Sequence, residues 1–378
     1  MKTDSCIENV TAVLAAHVES GRLPGYVAGV SIAGQRRVHA AGSLAVDGDA
    51  PMRPDTLFRI ASLSKLVGAV AALILVRDGV IALEDDIARW LPELASMRVI
   101  RQPDGPIEDS DPAPRPIAVG DLLTMTAGFG LVLAPGPLQS ALVSEGLMPG
   151  AFPPPFSHDE FVARLGRLPL AQAPGEGWLY HTGSDVLGVL LARAAGRPLA
   201  ELVSERIAAP LGIAELGFHT DAPERLATAY TAGLDLLDLP AGRFSRRPRF
   251  QALGSGLVST VPGFLTFLEM LAGGGAPILD SAAIELMGTD RLTGHQRASA
   301  ERFLGPGRSW GLSCEVVLAR EQTALPPGSF GWMGGTGATA YVDPEHGLAA
   351  ALFTQRAMET NRPPAAFVDF WDAVYRER

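Results

Sequence analysis

The spacing of apolar and polar positions changes several times along this 378-residue chain. Residues 7–20 carry apolar side chains at helical spacing and stop at Gly21, which predicts a helix. YVAGVSIAG and RRVHAAGSLAV then read as two antiparallel strands joined by a short turn at Gln35–Arg36. After TLFRIAS comes the most apolar run of the protein, Leu66–Val76, eleven residues long. It is apolar on all sides and too short to span a bilayer, so it predicts a buried helix.

Between residues 100 and 176 the regular spacing breaks up. RQPDGPIEDSDPAPRP and MPGAFPPPFSHDEF are Pro-rich and loop-like, with short helical pieces such as DLLTMTAG between them. SDVLGVLLARAAG and PLAELVSERIAAPLG predict two further helices. LSCEVVLAR, SFGWMGG, ATAYVDP and LAAALFTQR are short, β-like and divided by turn residues, and PAAFVDFWDAVYRER closes the chain as a helix. The simplest assembly is α/β (α+β): one central antiparallel sheet made from both chain ends, flanked by the terminal helices. Residues 1–76 and 246–378 form that part. Residues 77–245 form a mainly helical insertion, with the site at the interface.

Composition narrows the function classes. With 47% hydrophobic residues and a net charge of −10, the chain can bury a large core and is a poor partner for nucleic acid or an anionic membrane. Cys6 and Cys314 lie far apart with no CxxC or Cys/His cluster, which points away from zinc and toward a reducing, cytoplasmic setting. The N-terminal residues include Asp4 and no apolar core before a small-residue cleavage site, so no signal peptide is read. No HExxH or EF-hand-like loop occurs, and no metal or cofactor is expected.

The basic residues change the picture more. Of 31 basic side chains only two are lysines, Lys2 and Lys65, and Lys65 opens the apolar run. Ser62 lies three residues before it, one helical turn away on the same face. Burial disfavours an ammonium and lowers its pKa, so a desolvated lysine can accept a proton near neutrality; arginine cannot. A serine at a helix start also lies near free backbone N–H groups that can hold an oxyanion. A snorkelling structural lysine is the alternative. Ser64 points to a different face and ranks below Ser62.

FRIASLSKLVGAVAALILVRDGVIALEDDIARWLPEL closely resembles the serine hydrolases related to class C β-lactamases, D-Ala-D-Ala carboxypeptidases and family VIII carboxylesterases. The resemblance runs on through DLLTMTAGFG, APGEGWLYHTGSDVLGVLLARAAGRPL, GLVSTVPGFLTFLEMLAGG and FGWMGGTGATAYVDPEHGL, in the family's order and over nearly the whole chain. It implies the β-lactamase/transpeptidase-like fold and a catalytic set of Ser62, Lys65 and Tyr180. In that set the phenol, its pKa lowered by the neighbouring lysine, shuttles a proton from the serine to the leaving group. It further implies an oxyanion hole of the Ser62 and Gly335 backbone N–H groups. His181, Thr182, Trp332, Met333 and Gly334 would contact substrate.

Two positions depart from the family pattern. Thr182 replaces the Asn of the Tyr-x-Asn motif, and Trp332 replaces the Lys of the Lys-Thr-Gly motif. An indole gives an apolar wall and one N–H donor but no charge. Simple short-chain esters are therefore favoured over β-lactams or peptides. The same residues also suit a β-lactamase, a D-amino-acid peptidase or amidase, or an acyltransferase, and a non-catalytic acyl-binding relative is the remote alternative.

Rival motifs are weaker. GRSWG matches GxSxG with Ser309 as nucleophile, but GPG precedes it, a β-like stretch follows, and His346 lies only three residues beyond Asp343. GSGLVS and GGTGAT follow no convincing βαβ start. Glu84, Asp85 and Asp86 read as a helix cap. Of seven histidines only His181 falls in a motif. It is expected to line the pocket or satisfy a local hydrogen bond.

Overall fold

The computed structural model describes residues 3–376. Lys2, Glu377 and Arg378 lie outside the described residues, so the predicted C-terminal helix is followed only as far as its last described turn.

The chain begins with helix α1 (Thr3–Glu19) and the hairpin β1 (Gly25–Ile32) and β2 (Gln35–Gly42). The hairpin turn is Ala33–Gly34 and not Gln35–Arg36: both residues have positive φ, 48° and 79°. That is the two-residue turn whose twist matches the strands it joins. Gln35 and Arg36 instead pair with Ile32 and Ser31 in the ladder.

Strand β3 (Leu57–Arg59) leads into α2 (Ser64–Arg77), which is buried from Ser64 to Leu75. Residues 77–245 contain short helices at 119–124, 137–144 and 158–165, then α3 (Thr182–Ala195), which ends at the left-handed Gly196. The next predicted helix is α-helical over Leu199–Val203 and continues as a π-helical turn, Ser204–Ala208. The C-terminal part supplies β4 (Val258–Thr260), α4 (Val261–Ala272), α5 (Gly294–Leu304), β5 (Arg308–Trp310), β6 (Glu315–Val317), β7 (Phe330–Gly334), β8 (Ala338–Asp343), β9 (Leu348–Thr354) and α6 (Ala365–Val374).

Seven strands form one sheet in the order β5-β6-β7-β8-β9-β1-β2, antiparallel throughout. It joins the two chain ends through β9 and β1. Both faces are covered, so β9 is apolar at every position from Leu348 to Phe353. Alternate residues serve opposite layers. Leu348, Ala350 and Leu352 pack with Val10 and Leu14 of α1 and Phe370 and Trp371 of α6. Ala349, Ala351 and Phe353 face Phe264 and Leu265 of α4, in the large cluster that also contains α2 and α3.

Candidate active site

The approach to Ser62 is held from below. β3 pairs with β4, and the buried Arg59 guanidinium donates to Asp238 (2.8 Å) and to the carbonyls of Ala227 (2.6 Å) and Leu239 (2.7 Å). The chain then enters a 3-10 turn, Ala61–Leu63, with Ala61 at φ 42°. Ser62 therefore sits in a 3-10 turn, and only Lys65 lies inside the α-helix proper. Ser64 is used structurally: its hydroxyl donates to the Ala61 carbonyl (2.6 Å) and accepts the Leu257 N–H (3.0 Å). Gly334 of β7 lets this turn approach, because a Cβ there would stand 2.4 Å from the Ile60 carbonyl oxygen.

Lys65 is 1% exposed. Its Nζ donates to Ser62 Oγ (3.1 Å) and the Gly254 carbonyl (2.6 Å) and lies 3.5 Å from His181 Nδ1. Burial lowers its pKa to about 7, against the opposing pull of Asp185. An appreciable fraction of free amine is thus available at neutral pH beside a hydroxyl.

Tyr180 arrives just before α3. Its phenol accepts the indole N–H of Trp332 (2.6 Å), and a hydrogen bond also links it to Ser62. Lys65 Nζ lies over the ring face, 4.5 Å from the centroid. The expected lowering of the phenol pKa is not what the geometry gives: burial pushes it above its ordinary value, and the bonds to Ser62 and Trp332 oppose this only in part. The resting Tyr180 is a neutral phenol. Around it stands an aromatic group assembled from distant segments, with Tyr180 stacked on Phe303 (4.6 Å) and Trp310 edge-on to Trp332 (4.9 Å).

A cavity of about 480 Å³ opens over these groups, lined by Ser62, Tyr180, Trp332, Met333 and Gly335. Leu133, Phe303 and Met358 add apolar wall, while Arg302 and Glu359 bring charge. His181 and Thr182 line a different cavity, of about 220 Å³, beneath residues 146–155. Gly334 lines neither; it serves the close approach described above. Phe303, Arg302 and Met358 carried no motif in the sequence. The Asp185 and Gly254 contacts had faint signals: an i,i+4 spacing from His181, and the glycine-rich GSGLVS.

The rival motifs have other places. Ser309 lies within β5 with its hydroxyl donating to Asp290, so the strand–nucleophile–helix geometry of an elbow is absent there. His346 pairs instead with Asp343 (2.8 Å). Asp86 caps the 3-10 turn Ile87–Arg89 by accepting the Ala88 N–H. Among the described residues no cluster of His, Cys, Asp or Glu is suited to a metal, and no helix is long and apolar enough to cross a membrane.

The model of the family described as Beta-lactamase matches residues 10–369. The chain belongs to the beta-lactamase family. Within that family it is similar to Protein Rv1367c of Mycobacterium tuberculosis, 36% identical with 88% of this chain and 85% of that one covered. It is similar also to Esterase EstB of Burkholderia gladioli, 33% identical over 98% of this chain and 95% of that one. Among solved structures, "EstCE1, a hydrolase with promiscuous acyltransferase activity" superposes with a TM-score of 0.86 at 25% identity, covering 99% of each chain. The fold is the β-lactamase/transpeptidase-like one, and the protein is a serine hydrolase of the esterase/acyltransferase type.

Proposed function

We propose that the protein is a serine carboxylesterase that cleaves short-chain acyl esters through an acyl-enzyme on Ser62. The observation that carries this reading is the 3.1 Å contact between a buried Lys65, its pKa lowered to about 7, and the Oγ of Ser62, which lines a largely apolar cavity. In the proposed sequence the Lys65 amine takes the Ser62 proton as Oγ attacks the ester carbonyl. The backbone N–H groups of Ser62 and Gly335 hold the oxyanion. The C–O bond to the alcohol breaks, Tyr180 gives its proton to the departing oxygen, and the proton on Lys65 restores the phenol. Water then attacks the acyl-enzyme and releases the acid, leaving Ser62 and Lys65 as they began.

Trp332 sets the preference. Its indole closes the strand end with an apolar face where β-lactam and peptide specialists carry a lysine, which favours esters without a carboxylate beside the scissile bond. A second reading, acyl transfer to an apolar alcohol, is favoured by the Leu133, Met333 and Met358 wall, which can hold such an acceptor against the acyl-enzyme. The similarity to EstCE1 supports the same reading. The site would lie at the seam of a two-part molecule: Ser62, Trp332 and Gly335 come from residues 1–76 and 246–378, and Tyr180 from residues 77–245. The buried Cys6 and Cys314 side chains, hydrogen-bonded to the Val374 and Met287 carbonyls, fit a cytoplasmic setting.

The test is turnover of p-nitrophenyl acetate, p-nitrophenyl octanoate and a chromogenic cephalosporin, with and without 1-butanol, beside Ser62→Ala. Ester cleavage that disappears in Ser62→Ala is expected, with the acetate preferred and the cephalosporin opened slowly. Butyl acetate as the main product would establish the transfer reading. Turnover surviving in Ser62→Ala would remove the mechanism.

A further inference from the structure

His181 occupies a backbone conformation that needs explaining. Its φ and ψ are 87° and −65°, and the Thr182 N–H reaches back to the Tyr180 carbonyl at 3.3 Å, so the three residues form a γ-turn. This turn is rare and strained, and such strain persists where the surroundings fix it. Here they do. The imidazole is buried, with Nε2 3.3 Å from Asp185 Oδ2 and Nδ1 3.5 Å from Lys65 Nζ. Asp185 is itself fixed, because its Oδ1 accepts the Gly254 N–H at 2.8 Å. Gly254 packs so closely that a Cβ would stand 2.5 Å from His181 Nε2 and 2.7 Å from Asp185 Oδ1.

A free lysine amine has two N–H groups and one lone pair, and the Lys65 amine has three polar neighbours besides the Tyr180 ring face. The Gly254 carbonyl can only accept, so it takes one N–H. The lone pair is held on Ser62 when His181 takes the second N–H, a stronger acceptor than the Tyr180 ring face, and that requires Nδ1 to be unprotonated. Asp185, accepting at Nε2, puts the imidazole proton on the far nitrogen and leaves Nδ1 as the acceptor. Burial and the adjacent Lys65 both lower the His181 pKa, which keeps the ring neutral.

We propose that His181, oriented by Asp185, is a positioning residue: it accepts one Lys65 N–H and so turns the amine lone pair onto Ser62. The proposal rests on the reading of Ser62 and Lys65 as nucleophile and base. It gives work to a histidine that stands in a different cavity from the substrate groups.

The test compares wild type, Ser62→Ala, His181→Gly, His181→Asn and Asp185→Asn on p-nitrophenyl acetate, with thermal unfolding as a control for folding. Glycine accepts the γ-turn and removes the acceptor. Asparagine tolerates positive φ and offers an amide oxygen near the position of Nδ1. In Asp185→Asn the Gly254 N–H keeps the amide oxygen, so the new NH2 faces Nε2 and drives the imidazole proton onto Nδ1.

His181→Gly and Asp185→Asn are expected to lower kcat about 100-fold with KM changed less than about threefold. His181→Asn recovers about tenfold of that loss. In 15N NMR of Asp185→Asn the ring proton moves from Nε2 to Nδ1. If Ser62-dependent turnover in His181→Gly and Asp185→Asn stays near wild type, or if His181→Asn is as slow as His181→Gly, the positioning role is wrong. Turnover in Ser62→Ala would overturn the nucleophile assignment instead, which keeps the two failures apart.

Discussion

Two groups in this molecule are driven to nearly the same pKa from opposite sides. Burial lowers Lys65 to about 7, and burial raises Glu315 to about 7. Both belong to enclosed polar clusters. Lys65 meets Ser62, Gly254 and His181; Glu315, on β6, accepts from the Tyr341 phenol (2.9 Å) and faces Arg308 (3.5 Å). What separates them is access. A cavity of about 480 Å³ reaches the Ser62 beside Lys65, whereas Glu315 and Tyr341 flank Gly331 across the ladder inside the sheet, away from that cavity's lining. A shifted pKa reports burial; a reactive site also needs a nucleophile and room for a substrate.

The largest expected effect falls on the lysine. Lys65→Arg keeps the charge but leaves no base, because a guanidinium stays protonated, so kcat for p-nitrophenyl acetate should fall about 1000-fold or more. In the wild type kcat/KM should rise with pH through about 7, since the amine is protonated and idle below its pKa and free above it. An active Lys65→Arg would put Lys65 in the same class as Glu315, a buried ionisable group without chemistry.

Tyr180→Phe comes next, with a loss of about 100-fold in kcat. The rise through pH 7 should persist, because it belongs to Lys65 and not to the phenol. Trp332→Phe keeps the apolar wall but deletes the 2.6 Å indole N–H bond to Tyr180, and a net hydrogen bond of about 1 kcal/mol corresponds to a drop of about fivefold. A Trp332→Phe enzyme as slow as Tyr180→Phe would mean that the indole does more than orient the phenol.

Ser62 and Lys65 were legible because three residues of local chain bring them together and because lysine is so scarce here. The sheet and its flanking helices were legible because β9 and β1 are apolar at nearly every position, as strands covered on both faces must be. The Phe303 stack on Tyr180, and the Gly254 carbonyl against Lys65, depend on segments more than 100 residues apart, and no local spacing encodes them. The resemblance implies a lowered phenol pKa because the motif names neighbours and not their geometry: Lys65 lies over the ring face, and desolvation of the buried phenol raises its pKa. The sequence pattern places the hairpin turn two residues late because Ala33 carries no turn signal of its own.

The smallest effect on catalysis is expected from Glu315→Gln, and it probes the other half of the comparison. Glu315 is protonated in the folded protein up to about pH 7 but ionises near 4.5 once unfolded. Between those values the folded state binds the extra proton, so this group's stabilising contribution is complete below about pH 4.5 and declines as pH rises toward 7. Over that window the loss is on the order of 3 kcal/mol. Thermal unfolding from pH 4.5 to 8 should show the decline in wild type and a flatter curve in Glu315→Gln. Turnover should stay within about twofold of wild type, because Glu315 reaches the site indirectly, through its ladder partner Trp310 and a small contribution to holding the Tyr180 proton. A Glu315→Gln variant that instead moved the rise of kcat/KM away from pH 7 would make Glu315 the group titrating in catalysis, and the two clusters would have exchanged roles.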